Sequence, residues 1–167
     1  MANIPSKVTK FLEKSGVKYE EVTHKTVFTS YDKAATLKIK PNVIGKTLVL
    51  KTDNDLAMVL IPGNKNLDKS KFQKVLNVWR KRQGIKLVKK TDFISETVMK
   101  NKFKGIKLGA VPPFGKLFGM PTFVDKGLVK EKAIFISTGI YDKSFKVSPK
   151  IFEKLETVSG VFSKAKK

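Results

Sequence analysis

The residues that could do chemistry in this chain are few, and they fall in three short stretches. Lys46 sits in Ile44-Gly45-Lys46-Thr47, immediately ahead of the apolar run Leu48-Val49-Leu50. An ammonium in such a run must reach either an edge open to water or a polar cavity. Residues 109–115 read GAVPPFG. The two prolines fix φ at Pro112 and Pro113 and bias Val111 to an extended shape, while Gly109 and Gly115 are free for angles other residues avoid. Such a loop is too stiff for a plain turn, and the backbone N–H groups outside the prolines are its only donors. A third stretch, Ser137-Thr138-Gly139, closes an apolar strand with small residues, which suits a tight turn or the close approach of a ligand.

Other chemistries are poorly supplied. The chain has no Cys and one His, His24. Thiol nucleophiles are excluded, a Ser/His/Asp triad has little support, and a lone His beside a strand reads first as structural. Metal-ligand spacing is absent, so no metal and no cofactor is expected. Gly45-Lys46-Thr47 resembles the end of a phosphate loop, but Lys40 stands where that motif needs its first Gly. The tripeptide also leads into a strand rather than a helix, so nucleotide hydrolysis is not expected. Any hydrolysis would rest on orientation and fixed backbone donors.

The charge is extreme. Against 14 acidic residues stand 35 basic ones, a net charge of +21, and only Arg80 and Arg82 of the 35 are arginine. A field of this sign favours a polyanion, most simply nucleic acid or an anionic membrane face. Lysine is a hydrated point charge, better suited to phosphate contacts than to reading bases. The competing explanation is a general bias toward lysine on a solvated surface. Most Phe fall at core spacing, so no exposed stacking platform is expected.

These residues need elements to hold them. With 167 residues, 41% of them hydrophobic, one domain with a sizeable core is expected. Pro5-Ser6 opens a helix ending at Gly16, and residues 17–23 form a strand. Thr29 or Ser30 caps a short helix running to Leu37. Residues 43–52 and 56–62 form a central hairpin, apolar enough to be covered on both faces. Asp68 caps a helix carrying Phe72, Val75, Leu76 and Trp79. A short strand covers 86–88, and Thr91 caps a helix to Met99. Strands follow at 121–125, 133–138 and 144–147, then a helix from Ser148-Pro149 and a basic tail, 161–167, whose SKAKK end at 163–167 is frayed. The class is α+β, a single domain with a central mixed β-sheet flanked by helices. No apolar run reaches the roughly 20 residues of a membrane span, and MANIPSKVTK has no leader-like run, so a cytoplasmic protein without membrane contacts is expected.

Taken in order, IPSKVTKFLEKSGVKYEEVTH, the segment around Ala34-Ala35, IGKTLVLK, LIPG, LGAVPPFG and FISTG resemble the YbaK/ProX family of aminoacyl-tRNA deacylases, which includes the editing domain of prolyl-tRNA synthetase and its free-standing relatives. The resemblance spans residues 4–158, within an editing domain expected over 1–160. It implies hydrolysis of the ester joining a wrong amino acid, usually Ala or Cys on tRNA-Pro, to the 3′ end of the tRNA. It implies tRNA as partner and allows an aminoacyl-tRNA synthetase as another; the oligomeric state is open. By position, the family's pocket lysine falls on Lys46, and its Gly-x-x-x-Pro loop on Gly109, Ala110, Val111, Pro112 and Pro113. Lys46 and Gly109 are the expected catalytic positions. The rest of the loop, together with Thr29, Ser137, Thr138 and Gly139, is expected to bind substrate. Many relatives carry Gly-Gly-x-Ser-Pro in the loop, where this chain has Ala110 and Pro112 in place of the second Gly and the Ser. Several place a His after the strand-end Gly, where Ile140 and Tyr141 stand. A non-catalytic tRNA-binding module of the same fold and an unrelated basic RNA-binding protein are the other readings.

Overall fold

The computed structural model describes residues 3–166. Its framework is a five-stranded mixed sheet of order β5-β2-β3-β6-β9. Strands β2 (Gly45–Thr52) and β3 (Asp55–Pro62) form the central hairpin, closed by Asp53-Asn54 with Asp53 in the left-handed region at φ 57°. β5 (Thr91–Phe93) lies antiparallel to β2, while β6 (Thr122–Asp125) and β9 (Val158–Gly160) run parallel to β3 and β6 respectively. A second, antiparallel sheet joins β1 (Glu20–Thr23), β8 (Lys143–Val147) and β7 (Ile134–Ser137) in the order β1-β8-β7. A bridge between Ile44 and Phe135 ties the two sheets at the start of β2. The remaining pair is β4 (Lys65–Leu67) with β10 (Ser163–Ala165).

The hairpin is covered on both faces, as its composition requires. Along β3, Ala57, Val59 and Ile61 point into a cluster with Leu50, Phe72, Leu76, Phe123 and Phe162. Helix α3 (Lys69–Arg82) supplies Phe72 and Leu76, and its first turn is capped by Asp68, whose carboxylate accepts from Lys71 N–H. On the opposite face, Met58 joins Val49, Phe103, Val111 and Phe118. Leu60 joins a third cluster with Val8 and Leu12 of α1 (Ser6–Ser15) and Ile134, Ile136 and Phe145 of the second sheet. Helix α2 (Ser30–Leu37) carries Thr29 as its cap, the hydroxyl accepting from Asp32 N–H at 3.1 Å. No helix of the described residues is long and apolar enough to cross a membrane.

Four local expectations change. Residues 86–88 are not a strand: the Asn77 side chain takes both backbone groups of Val88, at 2.7 and 3.0 Å, so no ladder partner is needed. Thr91 does not cap a helix. It begins β5 opposite Thr52, and α4 (Glu96–Lys102) is capped by Ser95 instead. The helix after Pro149 is a single turn, α6 (Ile151–Lys154), and an unexpected turn, α5 (Lys126–Val129), follows β6 directly. The basic tail is not frayed through residue 165, because Ser163–Ala165 pair with β4. The root of that strand is locked by Asp125, whose buried carboxylate accepts from Phe162 and Ser163 N–H at 3.0 and 3.1 Å.

Candidate active site

The start of β2, the N-terminus of α2, the strand end of β7 and the loop after α4 converge on one cavity of about 430 Å³. Of the residues singled out from sequence, it gathers Lys46, Gly109, Ala110, Ser137 and Thr29. The others stand behind it. Val111 is in the core against Val49 and Met58, and Pro112 and Pro113 are buried. Thr138 is fully buried with its hydroxyl donating to Lys143 O at 3.0 Å, and Gly139 holds the loop from outside the cavity.

The stiff loop therefore does two jobs. Its centre, from Val111 to Phe114, is core, and it anchors the exposed Gly109 at the cavity. Gly109 adopts φ 79°, which a side chain resists. Gly115 is needed for space rather than for angle: a Cβ there would run into the Thr122 hydroxyl and Met120 O. Most N–H groups of the loop are already spent. Ala110 donates to Lys107 O at 3.0 Å, Phe114 to Pro112 O at 2.8 Å and Gly115 to the Thr122 hydroxyl at 2.8 Å. Among the described residues no acceptor takes the N–H of Gly109 or of Val111, and of these two residues only Gly109 lines the cavity.

Two bonds pin the loop to the second sheet. Lys107 N–H donates to Gly139 O at 2.9 Å, and the Tyr141 hydroxyl donates to Leu108 O at 2.7 Å. Gly139, at φ 108°, has a backbone that side chains resist, and a Cβ there would press to 3.1 Å from both Ile106 and Pro5. The position two residues after the strand end is thus a tyrosine that braces the loop.

The Lys46 side chain reaches into the cavity rather than to open solvent. Its Nζ donates to Lys65 O at 3.0 Å. Burial, and secondarily the Lys166 charge, hold its ammonium below the ordinary lysine range. Lys33, from α2, shares the cavity, and burial brings it down to about 8. Lys166, just past β10, is the third lysine in the lining. Among the described residues no carboxylate lines the cavity, and none forms an ion pair with these three. The local preference is for an anion. The Thr47 hydroxyl, also in the lining, is buried without a hydrogen-bond partner.

The mouth is aromatic, against the expectation that no stacking surface is exposed. Phe28 is 69% exposed and Tyr31 48% exposed, both on the cavity. Phe28 packs edge-on against Tyr141 at 4.8 Å between ring centroids. Gly63, at the end of β3, makes this arrangement possible, because a Cβ would press to 2.7 Å from Ser30 Cβ at the start of α2.

His24 stays outside the cavity lining. Its Nδ1 faces Lys25 O at 2.7 Å and its Nε2 faces the Ser144 hydroxyl at 2.9 Å. A carbonyl can only accept, so the proton sits on Nδ1 and Nε2 accepts from Ser144. Burial, aided by the Lys33 charge, outweighs the Lys25 carbonyl and Asp142 and lowers its affinity for a second proton. Among the described residues no group of three or more His, Asp or Glu side chains could hold a metal ion.

Lys33, Phe28, Tyr31, Tyr141 and Lys166 are among the cavity residues that the sequence reading did not single out. One lysine among so many carries no mark. The aromatics flank the Thr29-Ser30 cap, a weak pointer to the helix end where they gather.

Comparison with known proteins follows the same outline. A family model described as an aminoacyl-tRNA editing domain matches residues 24–155. No curated protein matches the chain. Among solved structures, hypothetical protein APE2540 superposes with a TM-score of 0.78 at 21% identity, over 95% of this chain and 99% of that one. A candidate trans-editing enzyme for prolyl tRNA synthetase superposes with a TM-score of 0.75 at 19% identity, over 99% of both chains. At these identities the likeness establishes a shared fold.

Proposed function

The chain belongs to the aminoacyl-tRNA editing domain family, and from that premise we propose that it is a deacylase, hydrolysing the ester between a wrong amino acid and the 3′-terminal ribose of a tRNA. The observation that carries this reading is the single cavity holding Lys46 and the unspent Gly109 N–H together. An ester needs little more than positioning and a donor for the oxyanion.

In this reading the terminal adenosine enters past Phe28 and Tyr31, with its base against an aromatic face. The acyl group lies toward Ile44, Leu48 and Ile140, apolar walls suited to a short side chain. Water attacks the ester carbonyl carbon. The carbonyl oxygen takes up negative charge and is met by Gly109 N–H, a donor of a kind worth about 3 kcal/mol in the transition state. Lys46 already gives one N–H to Lys65 O, which fixes its head, and its remaining N–H groups are the ones open to substrate in this reading. Collapse of the tetrahedral intermediate breaks the bond to the ribose oxygen. That oxygen takes the proton given up by the attacking water, and the free amino acid departs. Ala or Cys on tRNA-Pro is the substrate we favour, acted on in trans or beside a synthetase.

The test is deacylation of a panel of mischarged tRNAs by wild type and Lys46→Ala. Hydrolysis confined to small acyl groups and lost in the variant is expected. Absence of turnover on every substrate, with tRNA still bound, would overturn the enzymatic reading in favour of a binding module. Turnover indifferent to Lys46→Ala would overturn the assignment of that residue.

A further inference from the structure

Lys166 lies outside the residues matched by the family model, yet it reaches the same cavity as Lys46. Its place is set by β10. Ala165 pairs with Lys65, and Lys65 O is also the acceptor for Lys46 Nζ. One residue of β4 thus fixes both the terminal strand and the cavity lysine. Upstream, Phe162 is fully buried against Phe72, and Asp125 holds the backbone at Phe162 and Ser163. Downstream, Lys166 Nζ lies 4.5 Å from the centroid of the Tyr31 ring at the cavity mouth.

Two ammonium groups held toward one cavity without a carboxylate repel each other, and the Lys166 charge, after burial, holds Lys46 below the ordinary lysine range. Such an arrangement is relieved by an anion between them. The anion must reach the mouth of the cavity, beside an aromatic ring and a cation, which suits the phosphate on the 5′ side of a nucleotide whose base stacks there.

We propose that β10 brings Lys166 into the substrate site, with Lys166 and Lys46 together binding the phosphodiester on the 5′ side of the terminal nucleotide. This rests on the deacylase reading for the identity of that nucleotide, while the phosphate site itself stands on the geometry. Lys166 acts in binding. It holds the strand end in register and leaves the ester chemistry to the groups deeper in the cavity.

The experiment compares adenosine, adenosine 5′-monophosphate and inorganic phosphate as ligands of wild type, Lys166→Ala, Lys166→Arg and Lys150→Ala, using NMR shift titrations. Lys150 is exposed and outside the cavity, so it controls for the general field. Wild type should prefer the monophosphate to adenosine. Lys166→Ala should weaken the monophosphate about 10-fold and leave adenosine unchanged. Lys166→Arg should restore binding, and Lys150→Ala should have no effect. With uncharged tRNA, the slope of log affinity against log salt should fall by about 0.7 in Lys166→Ala, the loss of one phosphate contact to a single strand. Deacylation by that variant should show a raised KM with kcat retained. Equal binding of adenosine and its monophosphate, or monophosphate binding insensitive to Lys166→Ala, overturns the proposal. Inorganic phosphate bound as tightly as the nucleotide would mark a free-anion site and overturn it too. The ligand titrations need no turnover, so an inactive wild type would count against the deacylase reading alone.

Discussion

Replacing Lys33 by methionine removes a buried charge and keeps most of the aliphatic stem. The ammonium titrates at about 8 in the folded protein because burial penalises its charged form. In the unfolded chain a lysine titrates near about 10.4. Between these values the unfolded state holds a proton that the native state lacks, so native stability rises with pH across the window. The full gap corresponds to about 3 kcal/mol at about 1.4 kcal/mol per unit. From about pH 7 to about pH 9.5 the gain is about 2 kcal/mol. Other groups also titrate there, and relief of repulsion among so many cations stabilises both proteins alike. The difference between variant and wild type isolates Lys33. Urea denaturation should find Lys33→Met more stable than wild type near neutrality, with the advantage shrinking by about 2 kcal/mol as pH rises to about 9.5. His24, lowered in part by the Lys33 charge, should move back toward its ordinary value in the variant. Parallel stability curves, with an unmoved His24, would refute the burial argument for this cavity wall.

Tyr141→Phe deletes the hydroxyl that braces Leu108 O. It should cost about 1 kcal/mol of stability and lower kcat for deacylation more than it changes KM, because Gly109 loses its fixed position. Gly63→Ala forces a Cβ against Ser30 and should displace the start of α2, widening the mouth. Expected are a loss of about 1–3 kcal/mol and weaker binding of adenosine, read by thermal melts and titration. Asp125→Ala strips acceptors from Phe162, Ser163 and Gly127 N–H groups. About 3 kcal/mol of destabilisation and faster hydrogen exchange in β10 should follow.

The central hairpin was legible because its apolar residues run without a break, a pattern that only a doubly covered strand tolerates. Lys46 stood out against that background for the same reason. The caps at Thr29 and Asp68 announced their helices through short polar side chains ahead of apolar spacing. What could not be read were features decided by distant partners. Val88 is withheld from a ladder by an amide of α3, and Ser163–Ala165 become a strand only because β4 offers an open edge. In the site, the glycine and prolines of the loop signalled rigidity. Which N–H stays free was set by Lys107 O, Pro112 O and the Thr122 hydroxyl, contacts that spacing does not encode. Lys33 and Lys166 were hidden by abundance, since composition makes each lysine look like every other.

Strand β3 gives alternate side chains to three separate apolar clusters: Ala57, Val59 and Ile61 to one, Met58 to another and Leu60 to the third. No cluster can loosen without disturbing a strand the other two depend on. The molecule should therefore open as a single cooperative unit, with the amides of Ala57 to Ile61 among the last to exchange. Opening of the cavity short of unfolding is then left to its periphery, chiefly the start of α2, which contributes no residue to those three clusters and meets the end of that strand at Gly63.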